Sequence, residues 1–365
     1  MAAPLVYFYP HRSLRERQLD TVRAWPAERV LNPDLGARRQ GRQVSREEAL
    51  APRPRRGWRR LPLINLKRRP PGLRPEAALY LWGALAARGR FIVELDNPYA
   101  LTGFDLRAMA LYRGLLGRLL AAPRCLEIRC LSEACRRTLG LLFGAAVRGK
   151  AALHYPLVGR PAAVPQADRR AGAGCRFLFV ATQFELKGGA ALLRAFRRVH
   201  REAPETGLDL VTHLPPGHEA LAAACPGVRV HAATMSRDEV AARFLSRAQV
   251  LVHPTYVESF GMVVLEALAH GLAIVASDVY ALPEMVRDGV NGHLLTPPIS
   301  IWREDLPAPL YHRLDRAGDE IGRLDSSDFE ARLAAAMLAL ARDGAWLERA
   351  RAASARLFDE RFAAA

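Results

Sequence analysis

The stretch from Gln249 to Ser277, QVLVHPTYVESFGMVVLEALAHGLAIVAS, constrains the possible folds more than any other part of the chain. An apolar run at 249–253 is followed by a segment of helical length at 261–270, which ends at Gly271, and by a second apolar run at 272–276. This order predicts a strand, a loop, a helix and a strand. The stretch therefore predicts one βαβ unit of a parallel sheet.

Two glutamates make this unit a candidate ligand site. Glu266 lies in the middle of the predicted helix, which is apolar on nearly every side, and Glu258 lies eight residues earlier in the loop. Glutamate is rarely buried without a partner. In parallel sheets, ligands bind where strand ends meet helix N-termini, whose amides and dipole favour phosphate. Two interpretations follow: a nucleotide or sugar-phosphate site, or a Glu266 that only pairs with a core arginine beside a solvated Glu258.

The rest of the chain predicts two domains. From residue 174 onward, apolar runs alternate with helical segments, which predicts a doubly wound parallel sheet. The first half predicts strands at 5–9, 91–95, 124–131 and 151–156. It also predicts helices at 12–25, 76–88 and 104–121, and a further helix that is capped by Ser132 and ends at Phe143. We expect a first domain at 1–160, a Pro-, Ala- and Gly-rich linker at 161–173, a second domain at 174–345, and a terminal helix at 346–365 that crosses back to the first domain.

Charge and cysteine content restrict the partners and the compartment. The net charge is +16, only three of the 53 basic residues are lysine, and the segment from Gly36 to Arg74 holds 13 basic residues against two acidic ones. Such a block can bind an anionic membrane or nucleic acid, at about 1 kcal/mol per basic residue near a charged surface, or can be a solvated loop. No apolar run reaches the roughly 20 residues of a membrane span, and no secretory signal is expected. Five cysteines without CxxC spacing indicate reduced, buried thiols in a cytoplasm.

The second half resembles the nucleotide-sugar-dependent glycosyltransferases of family four. The resemblance rests on motifs that occur in this order: FVATQFELKGG with Lys187, AQVLVHPTYVESFG, the pair Glu258 and Glu266, LEALAHGLAIVASD, and LPEMVRDGVNGHLL. It implies a retaining enzyme with the α/β GT-B fold, in which two Rossmann-like doubly wound domains face each other across a cleft. The first domain would take the acceptor, and the second would bind the donor.

The resemblance also implies a role for individual residues. Glu266 would bind the ribose hydroxyls, Glu258 would orient the donor sugar, and Lys187 would neutralise the departing diphosphate. Asp96, at the end of the predicted strand 91–95, would make a further donor-sugar contact and completes the catalytic set. The remaining donor-binding positions lie in the loops after two strands and are Ser259, Phe260, Gly261, Met262, Thr182 and Gly188.

One departure and one agreement accompany this assignment. Thr182 stands where the family usually has an arginine that contacts the diphosphate, which puts the strength of donor binding in doubt. The chain contains no Asp-x-Asp motif, in agreement with a fold that needs no catalytic metal. We therefore expect no cofactor, with the nucleotide-diphosphate sugar acting as co-substrate.

The predicted function is transfer of one sugar to a cytoplasmic glycan or glycolipid acceptor during polysaccharide or lipopolysaccharide synthesis. A lipid-linked acceptor would make the Arg38–Arg74 block a contact with the anionic inner face of the cell membrane. Two other classes remain open. Thr182 suggests a non-catalytic relative that binds nucleotide sugars or glycans, and the basic block suggests a protein that binds anionic surfaces. Nucleic acid is the less favoured surface because Trp58 is the only aromatic residue within the block.

Overall fold

The computed structural model of this protein describes residues 3–9, 14–37, 45, 47, 63–161, 174–311 and 317–363. Residues 3–37 and 63–157 form one compact unit, and the chain from residue 158 onward forms a second. The predicted linker at 161–173 lies outside the described residues apart from Pro161.

The first unit is built on a five-stranded sheet with the order β1-β3-β5-β6-β7, in which all neighbours are parallel. A separate parallel pair is formed by β2 and β4. The elements of this unit are β1 Val6–Phe8, α1 Glu16–Ala24, β2 Leu66–Lys67, β3 Ala78–Trp82, β4 Leu85–Ala86, β5 Phe91–Leu95, α2 Leu106–Ala121, β6 Cys125–Cys130, α3 Glu133–Phe143, α4 Ala145–Lys150 and β7 Ala151–Leu153. Short 3₁₀ turns lie at Ala27–Arg29, Pro33–Leu35 and Pro98–Thr102.

The helix predicted at 76–88 is wrong. Residues Ala78–Trp82 form β3, which lies between β1 and β5 with every residue buried, and Leu85–Ala86 form β4. A parallel strand that is covered on both faces appears in sequence as a continuous apolar run, which periodicity cannot distinguish from a buried helix. Only the pairing partners on both sides decide the conformation here.

Aromatic side chains form the core between α1 and the sheet. The rings of Phe8 and Tyr80 lie 4.8 Å apart, and Trp25, just after α1, packs edge-on against Tyr80 at 5.6 Å. Leu19 and Val22 of α1 belong to the same buried cluster. This cluster fixes α1 over one face of the sheet.

The second unit is built on a six-stranded, all-parallel sheet with the order β10-β9-β8-β11-β12-β13. Its elements are β8 Arg176–Ala181, α5 Gly189–Glu202, β9 Gly207–Thr212, α6 Glu219–Ala223, β10 Val228–His231, α7 Arg237–Val240 with a π-helical turn at Ala241–Leu245, β11 Val250–His253, α8 Met262–Ala269, β12 Ala273–Ser277, a 3₁₀ turn at Leu282–Glu284, β13 Gly292–Leu295, β14 Trp302–Arg303, β15 Leu306–Pro307, α9 Ala317–Gly322, α10 Ser327–Arg342 and α11 Gly344–Arg361. From β8 the chain builds outward to β10, and it then returns to the other side of β8 with β11. The strand order therefore reverses between β8 and β11.

The predicted βαβ unit at 249–277 is confirmed as β11, α8 and β12. The terminal helix, predicted from residue 346, begins at Gly344 and packs against α8 and α10 of the second unit. Its Arg351 donates from Nε to the Gly271 carbonyl oxygen at 3.2 Å, which ties α11 to the end of α8. The predicted return of this helix to the first domain stays a prediction.

The remaining sequence expectations concern thiols, membrane spans and the basic block. All five cysteines are buried and free, as predicted. None of the described helices is long and apolar enough to cross a membrane. Most of the Arg38–Arg74 block, namely 38–44, 46 and 48–62, lies outside the described residues, so its contact with a membrane stays a prediction.

Candidate functional site

The candidate site lies at the switch point between β8 and β11, because ligands of open parallel sheets bind where the strand order reverses. The loop after β8 carries Lys187, and the loop after β11 carries Glu258. Backbone and side-chain hydrogen bonds join the two loops: the Tyr256 amide donates to the Leu186 carbonyl oxygen at 3.1 Å, and Thr255 Oγ1 donates to the same oxygen at 3.3 Å. Two segments about seventy residues apart in sequence thus form one surface.

Two glycines determine how the following helices begin. Gly188 precedes α5 with φ +76°, and a Cβ at this position would lie 2.0 Å from the carbonyl oxygen of Pro254 in the neighbouring loop. Gly261 precedes α8 with φ +94°, and its Cβ would lie 2.5 Å from Leu282 Cδ2. Only glycine tolerates both the left-handed backbone and this approach. Neither helix carries a side-chain cap, so the amides and dipole at their N-termini can serve an anion.

Glu258 is the centre of a buried polar network. Lys187 Nζ lies 2.8 Å from Glu258 Oε2 and also donates to the Val257 carbonyl oxygen at 2.6 Å. His253 Nε2 lies 2.9 Å from the same carboxylate oxygen, and the Ser259 amide donates to Oε1 at 3.1 Å. The Glu258 side chain is only 14% exposed, which excludes the interpretation of a solvated loop acid.

The network shifts the pKa values of Glu258 and His253. Burial opposes ionisation of Glu258, but the charge of Lys187 and the hydrogen bond from His253 outweigh it, so the pKa of Glu258 lies well below its ordinary value of 4.5. Burial lowers the pKa of His253 below 6.5, although its contact with Glu258 acts in the opposite direction. Glu258 is therefore a carboxylate near neutral pH, and His253 is a neutral imidazole that donates from Nε2.

Three further polar atoms lie at the same edge of the sheet. Thr212 ends β9, His253 ends β11 and Ser277 ends β12. Thr212 Oγ1, His253 Nδ1 and Ser277 Oγ are buried and have no hydrogen-bond partner among the described residues. Buried polar atoms are normally paired. The carboxyl edge of this sheet is thus chemically suited to a polar ligand.

Glu266 has the arginine partner that the sequence left open as an alternative. Arg237 Nε lies 2.8 Å from Glu266 Oε1, and the two side chains are 21% and 15% exposed. Arg237 is the first residue of α7, which Ser236 and Glu239 cap. Because both side chains remain partly exposed, the pair lies at a surface and leaves room for a ligand to compete for Glu266.

The predicted donor-binding residues occupy consecutive positions around this network. Residues 259–262 lead from the Glu258 loop into the first turn of α8, Thr182 directly follows β8, and Gly188 ends the Lys187 loop. The second unit thus brings Thr182, Lys187, Gly188 and the Glu258 loop to the same sheet edge. Asp96 lies in the first unit, where it follows β5 and accepts from the Asn97 amide at 2.8 Å, and its catalytic role stays a prediction.

Sequence reasoning missed three residues of the site. His253 contacts Glu258, Arg237 contacts Glu266, and Trp302 Nε1 donates to the Glu258 carbonyl oxygen at 2.6 Å. The Trp302 ring also stacks on Tyr280, with ring centroids 4.2 Å apart. A histidine at a strand end five residues before Glu258 was a usable signal, whereas nothing local distinguishes Arg237 or Trp302 from other residues of their type.

The His253–Glu258 network predicts a pH dependence of stability. Both pKa values are lower in the folded protein than their ordinary values of 6.5 and 4.5, so unfolding takes up protons as the pH falls. The unfolding free energy should decrease as the pH falls below 6.5, first through His253 and then, below 4.5, through Glu258. The slope should be at most about 1.4 kcal/mol per pH unit for each proton.

Urea unfolding across this pH range measures the effect. His253→Gln keeps a donor for Glu258 but does not titrate, so its unfolding free energy should be flatter between pH 4.5 and pH 6.5 than that of the wild type. His231→Gln, at a partly exposed histidine that contacts Asp209, is the matched control. Equal slopes for His253→Gln and the wild type would contradict the assignment of a neutral buried imidazole.

Fold and site together define a class of protein. The strand order of the parallel sheet reverses at the switch point, where helix N-termini without side-chain caps and a lysine–carboxylate pair lie. Rossmann-like domains that bind phosphorylated ligands have this architecture. Residues 174–304 match the family model described as Glycosyl transferases group 1. This segment covers the whole candidate site apart from Asp96, and the match confirms the resemblance drawn from the motifs of the second half.

Curated relatives agree with this match. The chain is 34% identical over 171 residues to a D-inositol 3-phosphate glycosyltransferase of Streptomyces avermitilis, covering 41% of this chain and 37% of that protein. It is 40% identical over 116 residues to an MMP alpha-(1->4)-mannosyltransferase of Mycolicibacterium hassiacum, covering 31% of this chain and 28% of that protein. The matched segment thus spans 37% of the first relative and 28% of the second.

Solved structures agree on the fold. A variant of TarM from S. aureus, in complex with Fondaparinux, alpha-GlcNAc-glycerol and UDP, superposes with a TM-score of 0.55 at 10% identity, covering 79% of this chain and 53% of that one. Sucrose-phosphate synthase from Thermosynechococcus elongatus superposes with a TM-score of 0.52 at 17% identity, covering 79% and 69%. The predicted GT-B class, with two Rossmann-like α/β units, is confirmed.

Proposed function

We propose that this protein is a retaining glycosyltransferase that moves one sugar from a nucleotide-diphosphate sugar to a glycan or glycolipid acceptor. The observation that carries the proposal is the Lys187–Glu258–His253 network at the switch point of the second unit. It combines a cation for a diphosphate with a fixed carboxylate for sugar hydroxyls. Relatives that are named as glycosyltransferases support the reaction type.

Each residue of the network has a separate chemical task in this proposal. Lys187 uses two of the three donors of its ammonium group on Glu258 and Val257, and the third can reach a diphosphate oxygen. The N-terminal amides of α5 and α8 add to this positive field. Charge that develops on the leaving diphosphate is thereby stabilised in place.

Glu258 orients the donor sugar rather than attacking it. Its Oε2 already accepts from Lys187 and His253, while among the described residues Oε1 accepts from the Ser259 amide alone and keeps capacity for a sugar hydroxyl. A carboxylate that already accepts hydrogen bonds from a lysine and a histidine is a poor nucleophile. In this mechanism the departing phosphate helps to deprotonate the acceptor on the same face, which retains the anomeric configuration.

A thermal-shift panel tests donor binding. UDP, GDP, ADP and their common sugars are added to the full chain, and one nucleotide series should raise the melting temperature more than the others. Release of nucleotide with a glycan acceptor, followed by NMR of the anomeric proton in the product, then tests transfer and retention. Donor binding without nucleotide release for any acceptor would favour the non-catalytic relative, and absence of binding for every nucleotide would overturn the proposal.

We further propose that the reaction needs no metal, with the nucleotide sugar as co-substrate. Lys187 and the helix N-termini supply the positive charge that a divalent ion would otherwise bring to the diphosphate. Dialysis against EDTA should therefore leave the transfer rate within about twofold of the untreated protein, a difference well below 1 kcal/mol in the barrier. Loss of transfer that added Mg²⁺ or Mn²⁺ restores would contradict this prediction.

A further inference from the structure

A β-hairpin of the second unit packs against the loop that carries Glu258. Its strands β14 and β15 pair antiparallel, and the two residues of its turn, Glu304 and Asp305, have φ values of 48° and 64°. Positive φ at both central residues is typical of a tight hairpin turn. The match to the family model ends at residue 304, within this turn, so β15 lies outside the matched segment.

The hairpin holds the main chain of the Glu258 loop at two points. The Ile301 amide donates to the Tyr256 carbonyl oxygen at 3.3 Å, and Trp302 Nε1 donates to the Glu258 carbonyl oxygen at 2.6 Å. Both acceptors are main-chain oxygens. The hairpin therefore fixes the path of the loop itself, and with it the position from which the Glu258 side chain extends.

Two tyrosines hold the Trp302 ring in turn. Tyr280, in the loop after β12, stacks on it with ring centroids 4.2 Å apart and planes inclined by 15°, and Tyr311 packs edge-on at 5.3 Å. All three side chains are buried. We call Tyr280, Trp302 and Tyr311 the aromatic clamp. An indole ring that is fixed by its neighbours donates its N–H in one direction, here to the Glu258 loop.

Tyr280 adopts a backbone conformation that is unusual for a tyrosine. Its φ of 50° lies in the left-handed region, where a bulky side chain is an outlier. Such conformations persist when the surrounding contacts determine them, and they occur preferentially at functional sites. The stack on Trp302 is a contact of this kind. The clamp thereby joins the loops after β11 and β12, which are neighbours at the carboxyl edge of the sheet.

The clamp acts on Glu258 without using its carboxylate. Lys187 and His253 contact Oε2 of that carboxylate, whereas the Trp302 indole donates to the main-chain oxygen. An indole N–H is neutral and is a donor only, so it adds no charge to the network. The capacity of Oε1 for a further hydrogen bond is left unchanged.

We propose that the aromatic clamp positions Glu258 for the donor sugar, through the hydrogen bond from Trp302 to the Glu258 main chain. Trp302 is a positioning residue, because it acts through Glu258 and not on the sugar itself. The inference rests on the proposed function, in which the Glu258 carboxylate accepts from a sugar hydroxyl. In that function Glu266 and the helix N-termini bind the nucleotide, so loss of the Trp302 contact should affect the sugar and spare the nucleotide.

The test removes the indole N–H and keeps an aromatic ring. Trp302→Phe does this between Tyr280 and Tyr311. Trp346→Phe is the matched control, because Trp346 lies on α11 of the same unit and packs against His293 with ring centroids 4.9 Å apart. The probes are UDP with UDP-glucose, GDP with GDP-mannose, and ADP with ADP-glucose. Calorimetric titration gives their affinities, initial rates of nucleotide release give kcat, and the melting temperature of each variant is measured.

Trp302→Phe should lower kcat by about tenfold or more, because small displacements of a group that orients the substrate are costly in rate. Its affinity for the nucleoside diphosphate should stay within about twofold of the wild-type value. Trp346→Phe should match the wild type in both quantities. A kcat of Trp302→Phe equal to that of Trp346→Phe, or a loss of diphosphate affinity as large as the loss of kcat, would overturn the proposal.

The indole N–H also gives a spectroscopic readout in the unmutated protein. The chain has five tryptophans, and the ¹⁵N–¹H signal of Trp302 is identified by its loss in Trp302→Phe. This N–H should be protected from exchange with solvent, and its chemical shift should respond more to a nucleotide sugar than to the corresponding nucleoside diphosphate. The same response to both ligands, or no response to either, would contradict the positioning role.

These results separate the clamp from the proposed function. Nucleotide release that is equal in the wild type and in Trp302→Phe would overturn the clamp alone. Binding of a nucleotide sugar without nucleotide release for any acceptor would overturn the transfer activity alone, if the Trp302 signal still responds to the sugar. Absence of binding for every nucleotide and nucleotide sugar would overturn both.

Discussion

Replacement of Lys187 by methionine is expected to lower the rate of sugar transfer by about 10²–10³-fold, the usual cost of removing one donor that stabilises developing charge. Lys187 is 19% exposed and contacts Glu258 at 2.8 Å, so methionine preserves the length of the side chain while removing the cation. The same variant should weaken the binding of nucleoside diphosphates far more than the binding of nucleosides, because only the diphosphate contacts the ammonium group. Calorimetric titration of both ligand types, combined with initial rates, measures the effect.

A matched lysine controls for the loss of one charge. Lys150 belongs to the first unit and donates to the backbone carbonyls of Ala121 and Ala122, so Lys150→Met changes a structural contact only. Its transfer rate should remain within about twofold of the wild type. If Lys187→Met weakens the binding of nucleosides and of nucleoside diphosphates equally, Lys187 does not bind the diphosphate. The melting temperature of both variants is also measured, because Lys187→Met removes one partner of Glu258 and leaves His253 in place.

Replacement of Glu266 by alanine should remove most of the thermal stabilisation that the best nucleotide provides. A ligand at 100 times its dissociation constant stabilises a protein by about 2.7 kcal/mol, and this contribution depends on the contacts that the ligand makes. In the proposed complex the Glu266 carboxylate accepts hydrogen bonds from the ribose hydroxyls. The unliganded fold should be affected much less, because Glu266 and its partner Arg237 are both partly exposed.

Arg237 separates this role from the simpler one of an ion pair. Arg237→Gln removes the partner but keeps the Glu266 carboxylate, so nucleotide stabilisation should persist in Arg237→Gln and disappear in Glu266→Ala. If both variants lose the nucleotide effect to the same extent, the ion pair alone is important and the ribose assignment fails. If neither variant loses it, the ribose hydroxyls bind elsewhere.

The local pattern of the second unit was sufficient for its fold. Strands and helices alternate there, Gly271 gives a clear stop signal after α8, and the βαβ unit at 249–277 is observed where it was predicted. The first unit shows the opposite case at 76–88, where a run of buried apolar residues fits a helix and a central strand equally well. There the neighbouring strands β1 and β5 decide, and they are remote in sequence.

The candidate site divides in a similar way. Lys187 and Glu258 stand out because the motifs around them occur in a fixed order and because lysine is rare in this chain. Their contact at 2.8 Å could not be predicted, because it depends on the packing of two loops against each other at Gly188 and Pro254. The Arg237–Glu266 pair was foreseen only as an unspecified arginine partner.

The sequence by itself determined the βαβ unit at 249–277, the family of the second unit and the residues that carry its chemistry. Hydrophobic period, glycine positions and motif order are local properties, and they persist in the unfolded chain. The tertiary structure alone decided which charges meet: Lys187 with Glu258, Arg237 with Glu266, and Arg17 with Glu94. Contact between residues that are tens of positions apart depends on the order of strands in a sheet, and that order is set by the packing of the whole unit.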